Sequence, residues 1–183
     1  MSYMFQETNT GANKMNEDTE NRAAAAEAAG YMKKSNTDEW GTPVSLFIGA
    51  CVEFNVTPYL DVCATFQNTK CPRFFNKEFD ALKQDWNEDF FMNPPFSKAK
   101  VFVKKLLDDM DKFKEIKNAL IILPWYFVED YKDRGSSAAK WYKSLRNRMS
   151  EYNFKRFHLK NQPFKRPDGK EVLVRVYAIY LSR

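Results

Sequence analysis

The sequence predicts an α/β domain in which strands alternate with helices. Residues 59–64 and 119–123 form short apolar runs of the kind found in parallel strands that are covered on both faces. A third apolar run, residues 90–92, lies between them and precedes a segment with apolar residues at helical spacing. This alternation is typical of a sheet with helices packed on both sides.

The composition indicates one globular domain. The chain has 183 residues, of which 44% are apolar and 16% aromatic, enough for a sizeable core. Residues 1–36 are polar apart from an Ala-rich stretch, so we expect a flexible tail followed by a single domain over residues 37–183. Since no apolar run is long enough to cross a membrane and no signal peptide is evident, we expect a cytoplasmic protein, and a monomer is our expectation for its oligomeric state.

Cysteine and histidine usage argues against a structural metal site. The three cysteines, Cys51, Cys63 and Cys71, lack a CxxC pair, and His158 is the only histidine. A zinc site needs about four such ligands at characteristic spacings. We therefore expect no metal and no disulfide framework.

Two helices have recognisable starts. Thr42 can cap, and Pro43 can open, a helix whose apolar residues share one face: Leu46, Phe47, Ala50, Cys51 and Phe54. Ser97 can cap a second helix with its own apolar face: Ala99, Phe102, Val103, Leu106 and Met110. A third helical region is expected around residues 138–149, and two late strands near 153–159 and 172–181 suit an antiparallel hairpin at the sheet edge.

Positive charge is concentrated in the last third of the chain. Residues 131–183 hold 14 Lys and Arg against 4 Asp and Glu, a net +10, whereas the preceding residues hold 15 against 20, a net −5. Basic side chains interleaved with aromatic ones are typical of nucleic-acid surfaces, although many basic faces are only solvated. The candidates for binding nucleic acid are Arg146, Arg148, Lys155, Arg156, Lys165, Arg166 and Lys170.

The motif Asn93-Pro94-Pro95-Phe96 carries the clearest chemical signal. It follows an apolar run, so it is expected at the carboxyl end of a strand, where open α/β sheets bind ligands. The Asn93 oxygen and the Pro94 carbonyl can accept hydrogen bonds from the two N–H bonds of an amine conjugated to a ring, which frees its lone pair for an incoming methyl group. The prolines hold the backbone, and Phe96 could stack on a flat substrate.

Three further motifs precede this one in a fixed order. They are Asp38-Glu39-Trp40-Gly41-Thr42-Pro43, Leu60-Asp61-Val62-Cys63-Ala64 and Leu82-Lys83-Gln84-Asp85-Trp86. With the Asn93 motif they make residues 38–183 resemble the phage-type DNA N6-adenine methyltransferase (Dam) family. The resemblance implies a Rossmann-like methyltransferase sheet, S-adenosylmethionine as the methyl donor, and adenine in double-stranded DNA as the substrate, flipped out of the helix.

The resemblance also implies roles for individual residues. Trp40, Thr42 and Pro43 match a segment that lines the methionine end of the donor, and Asp61, with Ala64 in the same motif, matches a donor-holding position. Asp85 matches the acidic position for the adenine amine of the donor. Residues 93–96 match the catalytic motif.

This chain departs from the family pattern at several points. Phe96 stands where the motif usually has Tyr, and either Glu78 or Asp80 could hold the donor ribose. The same catalytic motif also serves cytosine N4 and ribosomal-RNA guanine N2 methylation, and a catalytically silent DNA-binding protein is a different class of alternative. The sequence predicts neither the recognition site nor a restriction partner.

Overall fold

A computed structural model describes residues 40–125, 137–166 and 168–183, without the side chains of residues 137–142. Its sheet has six strands: β1 (Leu60–Asp61), β2 (Arg73–Phe74), β3 (Phe90–Met92), β4 (Asn118–Pro124), β5 (Asn153–Lys165) and β6 (Glu171–Ser182). The described helices are α1 (Val44–Phe54), α2 (Ala99–Lys112) and α3 (Ser137–Met149), with short 3-10 helices at Ala81–Lys83 and Phe96–Lys98. The mixed α/β class predicted from the sequence is confirmed. The tail expected at residues 1–36 lies outside the described residues.

The strand order changes direction at β1. Across the sheet the order is β2-β1-β3-β4-β6-β5, with β1 to β4 mutually parallel and β6 antiparallel to both of its neighbours. From β1 the chain therefore moves outward to β2 and then returns to the other side of β1 to form β3. Such a reversal opens a crevice at the carboxyl ends of the two strands on either side of it, β1 and β3.

Alternation along the central strands divides the core into two layers. Phe91, Leu120 and Ile122 pack on one face with the buried side of α1, made of Leu46, Ala50 and Phe54. The opposite face packs against α2 and α3, and its cluster includes Met92, Ile121, Phe102, Leu106 and Leu145. Burial on both faces explains why these strands are apolar throughout instead of alternating.

The helix starts differ in detail from the sequence prediction. Pro43 is the N-cap of α1 and not its first residue, and no side chain caps this helix, so Thr42 does not play the expected role. Ser97 lies inside the 3-10 helix that precedes α2, whose own N-cap is Lys98 without a side-chain hydrogen bond. After the Asn93 motif, a 3-10 helix therefore leads into α2 in place of the expected cap by the Ser97 hydroxyl.

Strand lengths also differ from expectation. β1 contains two residues where the apolar run suggested six, because residues 62–63 form a turn. β5 and β6 are longer than expected and pair antiparallel, with a register shift between Leu159 and Gln162 where Asn161 adopts φ 51°. β5 lies at the edge of the sheet. Pro163, which has no backbone N–H, therefore does not interrupt the hydrogen bonding between two central strands.

Asp109 on α2 secures the segment that leads into β3. Its carboxylate is 5% exposed and accepts hydrogen bonds from the Trp86 backbone N–H at 3.0 Å and from Lys105 Nζ at 2.7 Å. Trp86 is fully buried, and its ring N–H donates to the Ala81 carbonyl at 2.9 Å. A buried carboxylate with two donors of this kind fixes the position of Trp86 within the core.

Among the described residues, no helix has the length and apolarity needed to cross a membrane.

We predict that Asp109→Ala lowers the free energy of unfolding by about 3 kcal/mol, because it leaves a buried N–H and a mostly buried ammonium without their acceptor. The neighbouring Asp108→Ala is the matched control, since Asp108 is 43% exposed in its ion pairs with Lys104 and Arg148 and should cost about 1 kcal/mol. Urea titration of both variants measures the difference. Equal destabilisation by the two substitutions would show that the Asp109 contacts do not anchor Trp86.

Candidate active site at the carboxyl edge of the sheet

The register of β1 against β3 places two predicted site residues at the same edge of the sheet. Asp61 is the last residue of β1 and lies opposite Phe91, and Asn93 follows β3 directly. The Val62 N–H donates to the Phe91 carbonyl at 3.0 Å, which extends the pairing one step past the end of β1. Asp61 and Asn93 therefore lie beside the crevice where the strand order reverses.

The Asp61 carboxylate organises the loop that follows β1. It is 2% exposed, and it accepts from the Cys63 N–H at 3.2 Å with one oxygen and from the Lys70 N–H at 3.0 Å with the other. These bonds draw the end of the loop back to its beginning. Asp61 thus has a structural role in addition to any contact with a ligand.

The environment of Asp61 also alters its ionisation. Burial raises the pKa of this carboxyl to about 6, and the Lys70 and Cys63 N–H groups and the Lys70 ammonium offset part of that rise. Burial lowers the pKa of Lys70 in turn, while attraction to Asp61 opposes that change. A carboxylate and an ammonium of opposite charge therefore share this part of the edge.

A strap formed by residues 40–42 crosses the same edge. Gly41 forms an antiparallel bridge with Lys165 at the end of β5, with the Gly41 N–H donating at 2.8 Å. On the other side, Asn93 Nδ2 donates to the Trp40 carbonyl at 2.8 Å. The strap therefore connects the β5–β6 end of the sheet to the centre.

This bond to Trp40 determines which way the Asn93 amide faces. Only the nitrogen can donate to a carbonyl, so the side-chain oxygen must be the other terminal atom. That oxygen is buried, and no described residue donates a hydrogen bond to it; the ring N–H of Trp40 is likewise buried without a described acceptor. An unsatisfied buried acceptor at a ligand edge is available for an N–H donor from a substrate.

The strap, the β1 loop and the two strand ends border a shallow recess with a cavity volume of about 10 Å³. Among the expected donor-site and catalytic residues, it brings together Trp40, Thr42, Asp61 and Asn93. Its remaining lining residues are Gly41, Cys63, Asn68, Lys70 and Phe91, for which the sequence suggested no site role. The mostly polar segment at residues 65–70 is the sequence feature from which a site role for Asn68 and Lys70 could have been predicted.

Several of the predicted site residues lie near the recess without lining it. Pro43 precedes α1 and accepts from the Phe47 N–H at 3.1 Å, and Ala64 is buried with its N–H bonded to the Phe75 carbonyl. Within the Asn93 motif Pro94 is buried, while the Pro95 carbonyl accepts from the Lys98 N–H at 2.8 Å. That bond begins the 3-10 turn that leads away from the edge.

Phe96 is placed differently from the expectation that it stacks on a substrate. It is 7% exposed, belongs to the core layer under α1, and meets Trp40 edge to face with ring centroids 5.4 Å apart. Its ring therefore supports Trp40 in this conformation, and Trp40 is the aromatic residue that lines the recess together with Phe91.

Asp85 lies away from the recess. Its carboxylate is 61% exposed and bonds to Lys112 Nζ at 2.9 Å. Lys112 is the last residue of α2, a 14-residue helix that starts beside the Asn93 motif, so its far end is about 20 Å away at 1.5 Å per residue. The structure does not bring Asp85 together with Asp61 and Asn93. Of the ribose candidates, Asp80 caps the first 3-10 helix through the Leu82 N–H and pairs with Lys83.

The basic residues fall into two groups. Arg148 on α3 is bonded to Asp108 at 3.0 Å and Asp111 at 2.6 Å, so its charge is already balanced within the protein, and Arg146 lies on the same helix. The other group follows the β5–β6 pair: Lys155, Arg156, Lys165, Arg166 and Lys170. Within it, Arg156 lies over the Tyr177 ring and Arg166 is 3.7 Å from Asp168.

Within the second group, Lys165, Arg166 and Lys170 lie at the strap end of β5, whereas Lys155 and Arg156 lie near its start. Lys165 is paired through its backbone with Gly41, and the Arg166 N–H donates to the Lys170 carbonyl at 2.9 Å. The side chains of Lys165 and Lys170 are exposed. Positive charge therefore lies beside the recess, at the end of β5.

Comparison with known proteins identifies the family of the chain. Over 76 residues the chain is 40% identical to a DNA N-6-adenine-methyltransferase of Haemophilus phage HP1 (strain HP1c1), covering 41% of this chain and 44% of that protein. Over 82 residues it is 34% identical to a DNA N-6-adenine-methyltransferase of Escherichia phage T1, covering 43% of this chain and 34% of that protein. The matches span less than half the length of these curated relatives. The family model for DNA N-6-adenine-methyltransferase (Dam) matches residues 30–133, which include both Asp61 and Asn93, and the chain belongs to this family.

Proposed function

We propose that this protein transfers a methyl group from S-adenosylmethionine to the N6 amino group of adenine in DNA. The observation that carries the proposal is the Asn93 side chain: its nitrogen is held by the Trp40 carbonyl at 2.8 Å, while its buried oxygen lacks a donor among the described residues. Family membership supports the same chemistry.

The recess suits one end of the donor. Its cavity volume of about 10 Å³ is far below the roughly 300–1,000 Å³ of pockets that enclose whole small molecules, so it can receive only the end of a ligand that lies along the edge. Asp61 and Lys70 give it one charge of each sign, which matches the ammonium and carboxylate of an amino-acid group. The residues present therefore fit the methionine end, which Trp40, Thr42 and Asp61 would hold. When bound, the donor supplies an electrophilic methyl group on a sulfonium.

The protein's task in the reaction is to prepare the amine. The lone pair of an adenine amino group is delocalised into the ring, which makes it a poor nucleophile. The Asn93 oxygen would accept from one of its N–H bonds and the Pro94 carbonyl from the other, an arrangement that favours a tetrahedral nitrogen. Because the Asn93 amide is already fixed by Trp40, its acceptor needs no reorganisation as the reaction proceeds.

The strand order supports a Rossmann-like methyltransferase sheet. Four parallel strands with a reversal between β2 and β3 give the ligand crevice, and the antiparallel β5–β6 pair closes the far side. We place the donor and the target base at the carboxyl edge, because open α/β sheets bind ligands there.

DNA is the proposed partner, and the β5–β6 end of the sheet is its proposed contact. Exposed Lys165 and Lys170 border the recess through the Gly41 bridge, so phosphates bound there would lie beside a base in the site. A base in a duplex cannot reach a recess at a sheet edge without leaving the stack. We therefore propose that the target adenine is flipped out.

Asn93→Ala should lower the rate of methyl transfer from bound donor roughly a hundredfold or more, because the deleted oxygen acts on the amine, whereas donor affinity should fall much less, through loss of the bond that holds Trp40. Single-turnover transfer measures the rate, and calorimetry with the donor measures the affinity. Exposed Asn87→Ala is the matched control and should change neither quantity. Near-normal transfer by the Asn93 variant would remove the basis of the proposal.

Lys165→Ala combined with Lys170→Ala should flatten the plot of log DNA affinity against log salt concentration by up to about 0.9 for each phosphate that the variant no longer neutralises. The control pair is Lys114→Ala with Lys117→Ala, two exposed lysines beside Asn118 at the opposite edge of the sheet. Fluorescence anisotropy at several salt concentrations gives the slopes. If both pairs gave the same slope, the end of β5 would not be a DNA contact.

A further inference from the structure

We infer that Lys70 binds the α-carboxylate of the methyl donor and is the positive charge that positions its amino-acid end. The inference rests on the proposed function and assigns a role to a residue that the Asn93, Asp61 and Trp40 motifs do not include. It follows from the hydrogen-bond donors and acceptors that surround the recess.

Most backbone N–H groups of the β1 loop are already committed to other partners. The N–H groups of residues 62–65 and 68–71 all donate within the loop or to the neighbouring strands. Thr65 donates to the Asn68 side chain at 2.7 Å, for example, and Cys71 to the Thr69 hydroxyl at 3.3 Å. These amides therefore cannot form an anion-binding nest of the kind that often holds an anion after the first strand of an α/β sheet.

Asp61 cannot bind an anion either, because it is the negative group in the recess. Both of its oxygens accept from loop N–H groups, and at 2% exposure its remaining lone pairs can receive only a donor that enters the recess. That capacity suits the ammonium of an amino acid. The carboxylate of the same amino acid then needs a separate cation.

Lys70 is the cationic side chain among the described residues that line the recess. It is half-buried, and its ammonium donates to the Asn68 carbonyl, which lies on the same rim. An ammonium has three donors, so this bond leaves capacity for a carboxylate. The Lys70 N–H is simultaneously fixed by Asp61 at 3.0 Å, which holds the base of the side chain at the mouth of the recess.

The two charges therefore complement a zwitterion. A bound α-amino acid would place its ammonium toward buried Asp61 and its carboxylate toward Lys70 at the rim, so that each end meets the opposite charge. Partial burial strengthens both contacts relative to water. The sulfonium at the other end of the side chain would then be directed along the edge toward Asn93.

The test compares two ligands with the full-length protein by calorimetry. S-adenosylhomocysteine, the demethylated donor, carries the carboxylate without a sulfonium charge, and its decarboxylated analogue lacks only that group. In the unmodified protein we expect the analogue to bind at least about tenfold more weakly, since a hydrogen bond between charged groups is typically worth that factor or more.

Lys70→Met should weaken S-adenosylhomocysteine at least about tenfold and leave the two ligands within about threefold of each other, because the group that distinguishes them is gone. Lys70→Arg keeps the charge and should retain most of the preference for the carboxylate. Lys104→Met, at a side chain 67% exposed on α2, is the matched control and should behave as the unmodified protein.

An unchanged preference for the carboxylate in Lys70→Met would overturn the inference and leave the proposed function standing. Reduced DNA affinity with normal ligand binding would also overturn it, by assigning Lys70 to a phosphate. If the unmodified protein bound neither ligand nor S-adenosylmethionine, the proposed function would fail, and the inference with it.

Discussion

The candidate site depends on the short parallel pairing of β1 with β3. β1 has only two residues in the sheet, yet its register sets Asp61 opposite Phe91 and so fixes Asp61 relative to Asn93. Asp89 supports the other end of this pairing, where its carbonyl accepts from the Tyr59 and Leu60 N–H groups and its carboxylate from the Lys117 and Asn118 N–H groups. A one-residue slip would move every side chain of β1 to the opposite face.

From this pairing two elements complete the recess, and each is held by a polar side chain. The β1 loop is closed on the Asp61 carboxylate, and the strap at residues 40–42 is held between Asn93 and the end of β5. Each of these side chains keeps a group that can meet a ligand: Asp61 has unused lone pairs, and Asn93 has a buried oxygen. The contacts that shape the site therefore also orient the groups proposed to act in it.

The sequence predicted the α/β class, the buried faces of α1 and α2, and the position of Asn93 after a strand, because these follow from local periodicity and motif order. It did not predict the strap contact between Trp40 and Asn93, which joins residues far apart in the chain. It also placed Asp85 with the donor-binding residues, whereas its ion pair with Lys112 lies at the far end of α2. Phe96 shows a further limit: an aromatic side chain after the prolines suggested a stacking face, but burial decides which ring lines the recess.

The central claim is methyl transfer to adenine, and the most direct test is to incubate the protein with methyl-labelled S-adenosylmethionine and unmethylated double-stranded DNA, then digest the DNA and identify the labelled nucleoside by mass spectrometry. A reaction without protein sets the background. We expect label in N6-methyldeoxyadenosine alone. Label only in N4-methyldeoxycytidine would contradict the assigned base while retaining the chemistry of Asn93, and DNA without label in any nucleoside would contradict the claim itself.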